Sequence, residues 1–297
     1  MRLLVTGRAG QVVTALAERA GDGLEVIALG RPELDLAAPD DLASLFAPHR
    51  PDAIVNAAAY TAVDQAEKEP DLALAVNGAG AGAVALAART LGVPVVQIST
   101  DYVFDGTKPV PYVETDPVGP VGAYGRSKLA GEQAVAAATD DHAILRTAWV
   151  YAAEGKNFVR TMLRLASGRD EVAVVADQRG CPSYAPDLAE AIVRVAEGLV
   201  AHPERRDLRG VFHMSGAGET DWAGFATEIF ALSKAHGGPA AAVRRITTAD
   251  YPTPARRPAN SRLDCAKLRA VYGIPMPDWR EALTRCMARI EASGTVD

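Results

Sequence analysis

Cysteine, lysine and aromatic residues are scarce: three Cys, six Lys and 6% Phe, Trp and Tyr among 297 residues. The three thiols, Cys181, Cys265 and Cys286, are odd in number and share no metal-ligand spacing. That argues against a disulfide framework or a zinc cluster and leaves packed, reduced cysteine. No block of basic residues occurs, and the net charge is -6 with a pI near 5.5. The electrostatic footprint of a nucleic-acid or anionic-membrane binder is therefore missing. Long apolar runs are missing as well. The opening Leu3-Leu4-Val5 ends at a glycine turn within a few residues, too short for a signal-peptide core or a membrane span. These absences predict a cytoplasmic protein with neither a membrane nor a nucleic acid as partner. An anionic ligand must then be held by a few placed cations and backbone N–H groups.

What is present is rhythm. Short β-branched runs at Leu3 to Thr6, Glu25 to Leu29, Ala53 to Asn56, Val93 to Ile98 and Ala143 to Arg146 alternate with Ala-rich segments. Helices are predicted at Gln11 to Arg19, Pro39 to Phe46, Leu72 to Leu91 and Tyr124 to Ala138. Strands alternating with crossover helices predict an α/β fold, a Rossmann-like doubly wound parallel sheet. After about residue 148 the rhythm loosens. Helical patterns remain at Phe158 to Ala166, Pro186 to Leu199, Asp221 to Ser233 and Trp279 to Ile290, and strand-like pieces at Val172 to Val175, Val211 to Met214 and Ala242 to Ile246. Residues 1–148 are expected to form a dinucleotide-binding domain, with segments near 186–215 returning to it. Residues 149–297 are expected to be mainly a smaller substrate-binding lobe.

Gly7-Arg8-Ala9-Gly10-Gln11 falls between the first strand and the first helix, where helix-start N–H groups can receive a pyrophosphate. Gly7 suits the tight turn and Gly10 the close approach of phosphate. A further glycine is expected three residues on, where this chain has Val13. The second strand ends at Leu29-Gly30-Arg31. An acidic residue there would read a ribose 2′-hydroxyl, whereas Arg31 can pair with a 2′-phosphate, which favours NADPH over NADH; the alternative is a solvated arginine. Asp35 and Leu36 follow, either beside the adenine or, for Asp35, as a cap on the next helix. At the end of the third strand, the small Ala57, Ala58 and Ala59 before Tyr60 leave room for the cofactor.

Tyr124 and Lys128 stand four apart on one helix face. Reduction of a ketone by hydride leaves an alkoxide that needs a proton donor, and a phenol with a pKa about 10 needs a nearby cation to bring it down. Chance alone gives this spacing in roughly one such chain in six. Its context carries the weight. Thr100, just past the fourth strand, sits where open α/β sheets bind ligands, and its hydroxyl can hold the carbonyl. Asp101 and Tyr102 follow it into the cleft.

Taken with Asn56-Ala57-Ala58-Ala59-Tyr60-Thr61-Ala62-Val63-Asp64, Ala75-Val76-Asn77, Ser99-Thr100-Asp101-Tyr102-Val103-Phe104, Arg146-Thr147-Ala148-Trp149-Val150-Tyr151, Asp177-Gln178-Arg179-Gly180-Cys181-Pro182 and Arg257-Pro258-Ala259-Asn260-Ser261, the chain resembles the extended short-chain dehydrogenase/reductases. Within them it is similar to the dTDP-4-dehydrorhamnose reductases, over essentially its whole length. The resemblance implies reduction of the 4-keto group of a dTDP-linked 4-dehydro sugar by NADPH, with NADH as the alternative. It implies Tyr124 as proton donor, Lys128 as its cationic partner and ribose ligand, and Thr100 as the carbonyl-positioning hydroxyl. Asp101, Tyr102 and Trp149 would line the sugar pocket and Asn157 would approach the diphosphate. Lys156, Arg256 and Arg257 are the cations available for that diphosphate. The resemblance also implies that a magnesium site, where members have one, draws on an acidic residue early in the first helix; Thr14 and Ala15 offer none, so no metal is expected, and a homodimer stays open. A reductase or epimerase of another nucleotide-linked 4-keto-6-deoxy sugar is the rival reading, and a non-catalytic cofactor-binding subunit is the rival from another class.

Overall fold

The computed structural model describes residues 1–293. Five strands, β1 (Arg2–Thr6), β2 (Glu25–Leu29), β3 (Ala53–Asn56), β4 (Val95–Thr100) and β5 (His142–Thr147), form one parallel sheet, buried except at the edge strand β2. A sixth strand, here β7 (Gly210–His213), joins it beside β5, giving the order β7-β5-β4-β3-β1-β2. Apolar side chains cover both faces, as a parallel sheet sandwiched by helices requires. On one face Leu3, Val5, Val55 and Val96 pack on α1 (Gln11–Ala17) and α6 (Ala185–Ala201). On the other Leu4, Ile54, Val95 and Ile144 pack on α2 (Leu42–Phe46), α3 (Pro70–Leu91) and α4 (Ala123–Ala138).

α3 is 22 residues long with mean hydropathy 1.4 over its most apolar window, enough by length and composition to cross a membrane. Half of that window is buried, against the sheet and α4. Its middle, Ala75–Ala79, is wound as a π-helix, a distortion that recurs at functional sites. α4 starts without a cap from its own neighbours; Glu67, just after the short helix Val63–Ala66, accepts from the Ala123 N–H at 2.7 Å instead.

A second core gathers α5 (Phe158–Ala166), α7 (Trp222–Ala235) and α9 (Trp279–Ser293) around a two-stranded parallel ladder of β6 (Glu171–Val175) and β8 (Ala242–Ile246). A further helix, α8 (Ala266–Tyr272), packs on β7 and α6. The three cysteines are free. Burial raises all three thiols, Cys265 to about 11 and Cys286 to about 12, so they are protonated packing residues.

Candidate active site

The carboxyl ends of β1 to β5 share one edge of the parallel sheet, the edge at which open α/β sheets bind ligands. At its cofactor side, Gly7 has φ +104, a left-handed turn that a side chain would strain, and its N–H donates to Leu29 O at 2.6 Å. Gly10 caps α1 with no side chain, leaving the first N–H groups of the helix without a side-chain acceptor from the cap. Beside them Gln11 Oε1 is buried without a partner. Val13, standing where a further glycine is expected, lies in the core beneath the turn, with Cγ2 3.1 Å from where a Cβ on Gly7 would stand. A turn with uncapped helix-start donors and the half-buried Ala57 to Ala59 facing it suits a dinucleotide pyrophosphate.

Arg31 is exposed and makes no ion pair among the described residues. A second arginine, missed in the sequence, flanks the same spot: Arg8 packs against Gly30 and pairs with Glu33 at 2.9 Å. Its position inside the glycine turn was the available signal. Asp35 caps no helix; it accepts from Ala37 N at 3.0 Å in a turn, and Asp41 caps α2 through Ser44. Leu36 is buried under α3, its carbonyl against Gly80. Tyr60 is stapled to α3: Asn77 Oδ1 accepts from Tyr60 N at 2.8 Å, and Asn77 Nδ2 donates to Tyr60 O and to Ser127 Oγ at 3.0 and 2.9 Å. The Tyr60 hydroxyl donates to Glu69 at 2.6 Å, which pushes the phenol up to about 12.

At the reacting side, β4 runs to Thr100 itself, opposite Thr147 of β5, and ends in a tight turn over Asp101–Val103. The Thr100 hydroxyl accepts from Tyr102 N at 3.2 Å and donates to Asp101 Oδ1 at 3.0 Å. Tyr124 meets Tyr102 edge to face, with ring centroids 5.5 Å apart. Burial raises the Tyr124 phenol above its ordinary value, the Asp101 carboxylate adds to this, and a hydrogen bond from Thr100 opposes it. The lowering expected from Lys128 is not found: Lys128 is not among the groups that move the phenol, and its ammonium is turned to Ile98 O. Lys128 is 4% exposed; its Nζ donates to Ile98 O at 2.7 Å, and burial brings its pKa down to about 8 against the pull of Glu132. Asp101, 3% exposed, is pushed up to about 6 by burial, opposed by hydrogen bonds from Ser261 and Thr100; its Oδ2 is buried without a partner of good geometry.

Across the cleft, Trp149 holds a left-handed φ of +49 and stacks on Trp222 with centroids 3.5 Å apart. Its indole fills the space over Gly180, where a Cβ would fall 2.6 Å from Trp149 Cζ2. Tyr102, Phe158, Trp222, Arg169 and Arg257 line a cavity of about 550 Å³ between α5, β6 and the loop after β8. Arg257 also pairs with Asp64 at 2.8 Å, tying that loop to the sheet side of the cleft. Arg169, which the sequence did not single out, has no ion pair among the described residues, and Lys156 and Arg256 lie outside the cavity lining. The Asn157 amide is engaged locally. Its Oδ1 caps α5 through Arg160 N at 3.2 Å, and Nδ2 donates to Ala152 O and Glu154 O at 2.9 and 3.1 Å. Among the described residues no group of three or more His, Cys, Asp or Glu is placed to hold a metal ion.

A parallel sheet with a glycine turn after β1 and a Thr-Tyr-Lys cluster at the ends of β4 and α4 defines the class: a nicotinamide-dependent reductase of the extended short-chain type. Residues 1–292 match the RmlD substrate binding domain family. The chain is 53% identical over 285 residues to dTDP-4-dehydrorhamnose reductase of Sinorhizobium fredii, covering 96% of each, and 48% identical over 292 residues to that of Burkholderia thailandensis, covering 97% and 98%. Among solved structures, dTDP-4-dehydrorhamnose reductase from Bacillus anthracis in complex with NADP superposes with a TM-score of 0.90 at 36% identity, over 97% of this chain and 99% of that one. The chain belongs to the dTDP-4-dehydrorhamnose reductase family.

Proposed function

We propose that the chain reduces the 4-keto group of dTDP-4-dehydro-L-rhamnose to give dTDP-L-rhamnose, using NADPH. The observation that carries this is the convergence of Thr100, Tyr124 and Lys128 at the sheet's carboxyl edge, in a chain this similar along its full length to named reductases. When bound, NADPH supplies the hydride. The chain's own residues do the rest. The sheet lobe takes the cofactor, with the Gly7–Gln11 turn on the pyrophosphate and Ala57 to Tyr60 along its flank. Arg8 and Arg31 at the end of β2 pair with the 2′-phosphate. Thr100 orients the carbonyl oxygen, and Tyr124 delivers the proton to it. Lys128, charged, offsets the phenolate that remains. Asp101, Tyr102 and Trp149 form the sugar side of the cleft, and the cavity beyond Tyr102, with Arg169 and Arg257 on its lining, receives the nucleoside diphosphate. All of these residues come from one chain, so the reading requires no second subunit.

Incubating the protein with enzymatically made dTDP-4-dehydrorhamnose and NADPH, and following loss of the nicotinamide absorbance, tests the reaction. Product analysis must then return dTDP-L-rhamnose. No cofactor oxidation, or a different C4 isomer, would overturn the assignment. Tyr124→Phe is expected to reduce kcat at least 100-fold while NADPH still binds, in the range removal of a general acid produces; near-normal turnover would remove Tyr124 from its role.

A further inference from the structure

Tyr124, Lys128 and Glu132 recur at i, i+4 and i+8 on α4, so the three side chains line one stripe facing β4 and β5. Glu132 is only 4% exposed. Its carboxylate is held on every side: Arg146 Nε donates to Oε1 at 2.9 Å, Arg146 Nη2 to Oε2 at 2.7 Å, and Ser99 Oγ to Oε1 at 2.5 Å. Ser99 and Arg146 are direct register partners on β4 and β5, so a single rung of the sheet presents both donors to the helix. The Arg146 guanidinium is itself fixed over the Phe104 ring, 5.1 Å from its centroid.

We propose that Glu132 is a positioning residue for Lys128: its buried, clamped carboxylate keeps the neighbouring ammonium charged at the Ile98 carbonyl, where the proposed reaction needs it. This rests on the reading of Lys128 given above. A buried ion pair alone does not stabilise a core beyond what apolar residues of the same volume achieve. A carboxylate one turn from a lysine that burial is discharging has a different use. The other charged or titratable groups around Lys128 do not substitute for it. On α4 there is Tyr124, whose phenol burial keeps neutral. Beyond β4, Asp101 acts on that phenol and on Thr100. From β5 comes Arg146, committed to Glu132. The helical segments on the other side of α4 contribute Glu67, bonded to Ala123 N, and the neutral Asn77, bonded to Ser127.

The test is the pH profile of kcat, with thermal unfolding alongside, for the wild type, Glu132→Gln, the pair Glu132→Gln with Arg146→Met, and Glu132→Asp. In the wild type, turnover should fall on the alkaline side as Lys128 loses its proton. Glu132→Gln should move that limb down by about one pH unit, the size of effect a close opposite charge exerts. The double variant removes the stranded guanidinium, so its melting temperature should recover toward the wild type while the limb stays displaced. Glu132→Asp keeps the charge and should keep the limb. A limb unmoved in Glu132→Gln, or displaced there and restored in the double variant, overturns the proposal, since the pair would then be packing alone. If Glu132→Gln does not fold, the double variant decides. A wild type that never oxidises NADPH with this substrate sinks the functional reading instead, a result these variants cannot mimic.

Discussion

Replacing Asp101 by Asn should make the protein more stable at neutral pH while it loses activity. The Asp101 carboxyl is 3% exposed, and burial lifts it from 3.8 to about 6 against opposing hydrogen bonds, those from Ser261 and Thr100 the largest. Each pH unit of such a difference is worth about 1.4 kcal/mol, so holding Asp101 ionised in the fold costs about 3 kcal/mol. The sign follows from the protons bound. Between pH 3.8 and about 6 the folded chain retains a proton that the unfolded chain has released, so this group makes stability fall as pH rises through that window. Below the window the penalty vanishes; above it the penalty is complete. Asparagine cannot ionise and keeps the shape and the acceptor for Thr100. The stability difference between variant and wild type should therefore be small at pH 4 and grow toward about 3 kcal/mol at pH 7 to 8, because all other titrating groups cancel. Urea unfolding of both proteins across pH 4 to 8 measures it, read from midpoints at constant m. Turnover should drop at least tenfold over the same range. A difference that does not change with pH, or a variant destabilised most at high pH, would refute the reasoning. A residue that stabilises on removal and abolishes function marks a site kept under strain for chemistry.

Two further substitutions probe opposite ends of the cleft. Arg8→Ala with Arg31→Ala should raise KM for NADPH at least tenfold while leaving KM for NADH within about twofold, because only the 2′-phosphate distinguishes the two cofactors; equal effects on both would place these arginines elsewhere. Gly180→Ala should force the Trp149 indole off Trp222, lowering stability by about 1–3 kcal/mol. Intrinsic tryptophan fluorescence should shift and KM for the nucleotide sugar should rise. Unchanged emission with unchanged melting would show that the stack does not depend on that glycine.

The strands were legible because both faces of this sheet are covered, so each reads as a short β-branched run without polar alternation. Boundaries moved where a side chain intervened: the helix expected from Pro39 starts at Leu42, since Asp41 bonds to Ser44 N at 3.1 Å and ends the preceding turn. The fourth strand reaches Thr100 rather than Ile98, because the ladder with β5 extends to Thr147. The catalytic candidates were legible as local spacings. Their supports were not, since Arg257 meets Asp64 from 193 residues away. Asn260 likewise spends its amide far along the chain, donating to Lys108 O and Val110 O at 2.7 and 2.9 Å. Nothing in a one-dimensional pattern distinguishes such a brace from a ligand contact, and for Asn157 the same ambiguity holds between an α5 cap and an approach to phosphate.

The polar interior of the sheet shows how these distant supports reach the chemistry. Thr6, Asn56 and Gln97 are each no more than 2% exposed, direct register partners on three adjacent strands. Buried polar side chains in the centre of a parallel sheet are destabilising unless paired. Here the sequence of bonds is continuous. Ala58 N donates to Thr6 Oγ1 at 3.1 Å, Thr6 Oγ1 to Asn56 Oδ1 at 2.6 Å, Asn56 Nδ2 to Gln97 Oε1 at 2.7 Å, and Gln97 Nε2 to Ile98 O at 2.8 Å. That last carbonyl is the one that receives Lys128 Nζ. The row therefore joins the backbone proposed to flank the cofactor with the ammonium proposed to act beside it. Their separation is set by strand spacing and not by flexible side chains. The Tyr-x-x-x-Lys spacing places two groups on one helix face. Sheet register then fixes where that face stands against the end of β4, which is why the spacing alone, common by chance, is a weak sign and the same spacing above this row is a strong one.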